Sequence, residues 1–337
     1  MKAVVKTAPQ PGAIAVQSVD SRRPAPGEVL IEVQAASICG SDLHIHNWDP
    51  IFHGFMHPPM VLGHEFAGRL AEIGADVEGL QSGQLVMAES VLWCGSCRAC
   101  LRGRSHVCER RQIFGVHRPG GMAETVIAPA RFVHPLPDGM NARQGAVVEP
   151  LTVALHAVLA QPPRPGDVVL VTGPGPIGLL AGQVARAMGA HVFVAGAPAD
   201  AGVRLPLAES IGLSILDPGT PPLEALGQQA DMAIDASGSE AAIQGLIPAV
   251  ANGGSITLVG LFARAVRVDL SALIRREISV RTSYIGSWDD FERAIGLLRD
   301  GVVQAEQLLA PYALDDAVKA FDDALAQRVM KPLLLVQ

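Results

Sequence analysis

The chain has 337 residues, of which 49% are apolar and 18% charged, with a formal net charge of −7. At roughly 150 residues per domain this length implies two domains, each able to bury a core. The mild acidity and the lack of any Lys/Arg run exclude a nucleic-acid or membrane surface as the expected partner. The longest apolar stretch, Val168 to Leu180, is broken by Gly173, Pro174, Gly175 and Pro176, short of the about 20 residues that cross a bilayer. The segment MKAVVKTAPQ lacks the apolar centre of a secretory signal, so a soluble, cytoplasmic protein is expected. Five cysteines in that setting point to metal or catalysis rather than disulfides.

In chain order, short apolar or alternating runs at Met1–Val5, Glu28–Ala35, Gly68–Ile73 and Leu85–Met87 read as strands between Pro/Gly turns. Near Pro150 the texture changes. Leu151–Leu159 reads as a helix, Asp167–Val171 as a strand, Ile177–Met188 as an Ala-rich helix and His191–Ala195 as another strand. The alternation continues through Met232–Asp235 and Ser255–Val259, the pattern of a doubly wound parallel sheet. Helical patterns at Asp289–Arg299 and Leu314–Ala326 precede a closing strand at Pro332–Val336.

Cys94, Cys97, Cys100 and Cys108 form C-x2-C-x2-C-x7-C. Four thiolates this close in sequence can surround one Zn²⁺ tetrahedrally. An iron–sulfur cluster also takes four cysteines and stays an alternative. Neither leaves a protein-free position, so the role is structural. Cys39, in ICGSDLHIH, and His64 with Glu65, in VLGHEFAG, form a mixed set that would leave zinc an open position, as catalytic sites do. By spacing alone, a structural cysteine and a distant structural histidine explain these residues as well.

After Val168–Val171, Gly173-Pro174-Gly175-Pro176-Ile177-Gly178 is a G-x-G-x-x-G turn between a strand and a helix, the setting in which it binds a dinucleotide. The pyrophosphate would sit on the amides at the helix N-terminus, where Pro176 loses no hydrogen bond. About 20 residues on, where an acid usually binds the ribose 2′-hydroxyl, Gly196 stands instead. Arg204 is the nearest cation, and Asp200 reads as too late in the loop to substitute. The cofactor is therefore NAD or NADP, with a slight lean to NADP.

Cys39-Gly40-Ser41-Asp42 with His44, then Gly63-His64-Glu65, the lobe cysteines and Glu149-Pro150 occur in an order that resembles the zinc-containing medium-chain dehydrogenase/reductase family. The resemblance spans nearly the whole chain and is closest to the sorbitol (polyol) and threonine dehydrogenase branch. It implies an α/β architecture: a GroES-like β-rich catalytic domain over 1–150 with a zinc lobe, a Rossmann doubly wound parallel-sheet domain over 151–286, and a C-terminal return to the catalytic domain over 287–337. It also implies a homodimer or homotetramer.

Carried over by position, the resemblance makes Cys39 and His64 ligands of a catalytic zinc, Glu65 a ligand or a residue that moves in and out of the shell, and Glu149 a ligand directly or through a water, with either glutamate open as the third ligand. Ser41 and His44 become the proton relay, and Asp42 orients His64. The implied reaction moves hydride between an alcohol or polyol and the nicotinamide. Two rivals remain: a zinc-free enone or quinone reductase of the same superfamily, and a non-enzymatic NADPH-binding protein. Ile45, His46, Trp48, Phe52, Phe114, Tyr284 and Trp288 are candidate lining residues, the last two equally candidates for the core. His46, His53 and His57 read as a loop at the mouth of a cleft rather than as ligands.

Overall fold

The segment EVLIEVQAAS alternates buried with more exposed side chains over most of its length, and it forms the central strand of the largest sheet. The computed structural model describes residues 1–336; position 337, in the expected return segment, lies outside the described residues. Two compact units are present: Met1–Glu149 with Ser287–Arg299 and 309–336, and Pro150–Gly286 with Asp300–Leu308.

In the first unit the strands are β1 (Lys2–Lys6), β2 (Ile14–Ser18), β3 (Glu28–Ser37), β4 (Met60–Val61), β5 (Glu65–Ile73), β6 (Leu85–Ala88), β7 (Val91–Leu92), β8 (Gln112–Ile113), β9 (Thr125–Pro129) and β10 (Val133–Pro135). The second contributes β11 (Val168–Thr172), β12 (His191–Ala195), β13 (Ser214–Ile215), β14 (Ala230–Asp235), β15 (Val250–Leu258) and β16 (Ser279–Thr282). Beyond it come β17 (Leu309–Ala313) and β18 (Lys331–Leu335).

The main sheet of the first unit runs β10-β6-β5-β3-β18-β17, with β9 also paired to β3. Its inner face packs Ile31, Phe66, Leu70, Val86, Phe132 and Phe321 into one core. Helix Trp288–Arg299 belongs to this unit because Phe291, Ala294, Ile295 and Leu298 form one apolar stripe. Its other anchor is His134, fully buried, whose Nδ1 lies 2.6 Å from Glu292 and whose ring centroid is 3.9 Å from that of Trp288.

The second unit is a parallel sheet in the order β13-β12-β11-β14-β15-β16. Numbered within the unit this is 3-2-1-4-5-6, the doubly wound order of dinucleotide-binding folds.

Three readings need correction. The return segment is not continuous, because Asp300–Leu308 lies with the second unit, where the Gln304 amide donates to Gln183 Oε1 at 2.7 Å. The helix read over Leu314–Ala326 is a 3-10 turn, Leu314–Asp316, followed by a helix, Ala317–Leu325. Gly40–His46, in which no helix was read, is helical; its polar composition hides it.

At the start of β3, Arg22 donates two hydrogen bonds, of 2.5 and 2.8 Å, to Glu28. These bonds foremost lower the Glu28 carboxyl from 4.5 to about 2. A lowered folded-state value stabilises the fold above the ordinary carboxylate range, and that gain is lost as pH falls through 4.5 towards about 2. Denaturant midpoints of Glu28→Gln should therefore fall less steeply than wild type across that window. Parallel pH dependences would refute the assignment.

Candidate active site

The first donor set is built by sheet register. Ser37 and Glu65 are direct partners across β3 and β5, and β18 lies on the other side of β3 with Leu333 opposite Ser37. Two residues before Leu333, Lys331 is level with Cys39, just past the end of β3. Gly63 turns the chain from β4 into His64 and Glu65 with φ +97°; a Cβ there would lie 2.5 Å from Met122 Cγ and 2.8 Å from its backbone nitrogen. Cys39 precedes helix Gly40–His46, and its N–H donates to Asp42 Oδ2 at 2.9 Å.

The result is a sulfur, an imidazole nitrogen and a carboxylate oxygen, from Cys39, His64 and Glu65, all within 4.8 Å of one another. His64 turns Nδ1 towards Asp42 Oδ1 at 3.9 Å, and its Nε2 lies 3.4 Å from Ser41 Oγ. Burial opposes a charge on His64, but Asp42, Cys39 and Glu149 outweigh it and raise the imidazole well above its ordinary range. Glu65 Oε2 accepts from Ser37 Oγ and, at 2.6 Å, from Lys331 Nζ, whereas Oε1 is buried without a hydrogen-bond partner. An orphaned carboxylate oxygen beside a thiol and an imidazole fits a divalent metal of zinc's preferences. Glu149 is buried nearby, pushed up to about 7 by that burial, and is not part of the mutual 4.8 Å set.

The second set is the lobe. Its sulfurs are separated by 4.0 Å (Cys94–Cys100), 3.8 Å (Cys97–Cys108) and 3.5 Å (Cys94–Cys108). A tetrahedron with Zn–S bonds of about 2.3 Å has edges of about 3.8 Å. Backbone amides of Ser96, Cys97 and Arg110 point at these sulfurs at 3.3–3.5 Å. The Ser96 amide foremost lowers Cys94 to about 5, while burial pushes Cys100 up to about 12. Together the Cys39 and Cys94 sets are the groups of metal-ligating side chains among the described residues. His46, His53 and His57 lie outside both: the His46 ring stacks on Phe321 and His53 on Trp48.

In the second unit Gly173 ends β11 with φ +87°, and a Cβ on it would meet Ser237 N at 2.7 Å. Gly175 leads into helix Pro176–Ala187, with Pro176, Ile177 and Gly178 in its first turn. Gly178 packs against the turn so closely that a Cβ would lie 2.1 Å from Gly173 O. Gly196 directly follows β12. Asp200, read as too distant, comes back to it: the 3-10 turn Pro198–Ala201 brings Asp200 Oδ2 onto the Ala197 N–H at 2.8 Å. A Cβ at Gly196 would be 3.1 Å from that oxygen and 3.0 Å from Pro174 Cγ. Arg204 pairs with the other Asp200 oxygen at 3.1 Å.

Residues 25–138 match the family model described as alcohol dehydrogenase GroES-like domain, and residues 176–300 the model described as zinc-binding dehydrogenase. The L-threonine 3-dehydrogenase of Pyrococcus horikoshii is 36% identical over 92% of this chain and 90% of its own. The sorbitol dehydrogenase of Halalkalibacterium halodurans is 35% identical over 99% of both. The chain belongs to the zinc-containing medium-chain dehydrogenase/reductase family. It is thus an enzyme, an NAD(P)-dependent zinc-binding alcohol dehydrogenase with GroES-like and Rossmann architecture. A solved structure described as a zinc-binding dehydrogenase of Sinorhizobium meliloti bound to NADP superposes with a TM-score of 0.91 at 29% identity, covering 99% of this chain and 98% of that one.

For this dehydrogenase, sequence reading placed Ile45, Phe52 and Phe114 on a pocket wall; all three are buried core residues instead, Phe114 packing edge-on against Phe66. It missed Lys331 as the partner of Glu65. The one signal was a lysine opening the apolar run KPLLLV. No described helix of the dehydrogenase is long and apolar enough to cross a membrane. Lys331→Met should leave a buried carboxylate unpaired and cost about 3–5 kcal/mol of stability, measured by denaturant unfolding. The double variant with Glu65→Gln should cost less than the sum of the two single variants. Additive losses would show that the pair is not coupled.

Proposed function

We propose that the enzyme oxidises a secondary alcohol or polyol, with one catalytic zinc held by Cys39, His64 and Glu65 and one structural zinc held by Cys94, Cys97, Cys100 and Cys108. The observation that carries this reading is the open, mixed donor set with Ser41 Oγ beside its imidazole. When bound, zinc supplies a Lewis acid and the dinucleotide a hydride acceptor. Glu149 completes the donor set directly or through a water. Ser41 Oγ takes the substrate hydroxyl proton and passes it to His44, three residues on and on the same helix face. His44 is about one-third exposed and releases the proton to solvent.

Elemental analysis of freshly purified protein should give about two zinc ions per chain. A protein without zinc would favour the zinc-free reductase reading. Ser41→Ala should lower turnover about a hundredfold with zinc content unchanged. Full activity in that variant would remove the relay. A panel of secondary alcohols, polyols, cyclitols and hydroxy amino acids would define the substrate.

Both NAD and NADP fit the second unit, with a lean to NADP. The Asp200 carboxylate beside Gly196 is already engaged by the Ala197 amide and Arg204, which weakens its repulsion of a 2′-phosphate. Arg204 is the cation at hand for that phosphate. Arg204→Ala should weaken binding of 2′,5′-ADP about tenfold or more, as loss of a charge-assisted bond predicts, and leave 5′-AMP nearly unchanged. Equal losses for the two nucleotides would point to Asp200 and NAD. A homodimer or homotetramer is expected as well, since β16 is an edge strand whose four residues are all exposed; sedimentation analysis reads this directly.

A further inference from the structure

We propose that Asp49 is the positioning carboxylate of His44, fixing which imidazole nitrogen takes the relay proton; this rests on the Ser41–His44 reading above. The His44 Nδ1 lies 2.5 Å from Asp49 Oδ2, and the Asp49 N–H donates to the His44 carbonyl at 3.0 Å. Residue 49 is thus closed onto residue 44 by side chain and backbone together.

The closure depends on Trp48, which has φ +55°, a conformation that residues with a Cβ rarely adopt. The surroundings hold it there. The Trp48 N–H donates to Ile45 O at 3.1 Å, and the His53 ring stacks on the indole with Nε2 3.1 Å from the Trp48 carbonyl. Lys6 Nζ sits 5.7 Å from the indole centroid and donates to the His46 carbonyl at 2.9 Å. A strained turn held from several sides is the kind of feature that accompanies function.

Stability does not account for the pair. Both side chains are about one-third exposed, and ion pairs in such positions contribute little. Asp49 precedes the 3-10 turn Pro50–Phe52, yet its carboxylate caps no amide there. Its work is directed at His44. The neighbouring His46 has no such partner: its Nδ1 faces Asn47 Oδ1 at 3.1 Å.

The chemical consequence follows from imidazole. A carboxylate at Nδ1 holds that nitrogen as the N–H, so the lone pair is left on Nε2. The proton leaving the substrate hydroxyl through Ser41 is taken up at Nε2. The imidazolium that forms is balanced by Asp49, and the same proton passes from Nε2 to water, restoring the ring. No oxidant or further reactant is needed.

Histidine-selective ¹⁵N labelling of the zinc-loaded enzyme tests this at about pH 9, above the ordinary imidazole range. His44→Gln assigns the resonance. His44 should be Nδ1–H in wild type and in Asp49→Asn, whose amide oxygen still accepts, and should move to Nε2–H in Asp49→Ala. Turnover of Asp49→Ala should drop about tenfold with KM changed less than about twofold, and His44→Gln/Asp49→Ala should be no slower than His44→Gln. A His44 ring that is Nε2–H in wild type, or unmoved in Asp49→Ala, overturns the proposal. A His44→Gln enzyme at full speed overturns the relay reading and the proposal with it; the tautomer data then distinguish that failure from a missing Asp49 bond.

Discussion

The ion pair between Glu65 and Lys331, both almost fully buried, is the constraint on which the first unit turns. Two charges removed from water cost several kcal/mol each unless each is the other's partner. The pair is retained at the start of β5 and the start of β18, flanking β3, so it locks the register of three strands. Ser37 from the middle strand and the Ile38 carbonyl supply the remaining hydrogen bonds. A hydrophobic pair of similar volume could match its stability. It could not leave one carboxylate oxygen fixed and unpartnered beside a thiol and an imidazole.

The two donor sets differ in how their electrostatics are arranged. The lobe gathers four sulfurs under backbone amides, and its donors close around a point, which suits a purely structural ion. The Cys39 set has one sulfur, a neutralisable imidazole and a carboxylate already tied to a lysine, so it presents less negative charge than the lobe. A metal held by such a set would be less neutralised and a stronger Lewis acid, as the proposed catalytic role requires.

What the sequence disclosed was local. The four lobe cysteines and the glycine turn after β11 carry their meaning within a few residues, because metal coordination and tight turns are short-range constraints. Relations across the chain were hidden. Nothing near Lys331 names Glu65, 266 positions away. Asp200 lies close to Gly196 in sequence, but only the 3-10 turn reveals that its carboxylate folds back. Asp49 is five residues from His44, yet a helix end followed by a left-handed tryptophan cannot be read from composition. The aromatic and aliphatic residues beside the motifs were misplaced for a related reason: Phe114 and Ile45 neighbour functional residues in sequence while filling the core in space.

β18 pairs with β3, yet the ribosome synthesises it only after the whole of 150–286. The second unit's sheet, β11 to β16, is contiguous in sequence and has all its strands available before β18 is made. The first unit waits, with Glu65 lacking its cation and β3 open at Ala35–Ser37. During that interval the nascent chain carries an unfinished donor set and one open stretch of sheet edge at Ala35–Ser37, the state in which cysteines and sheet edges are most exposed to wrong partners. Arrival of Lys331 adds β18 to the sheet and completes the electrostatics of the Cys39, His64 and Glu65 set in the same event, so this topology makes the donor set depend on a strand translated after the whole second-unit sheet.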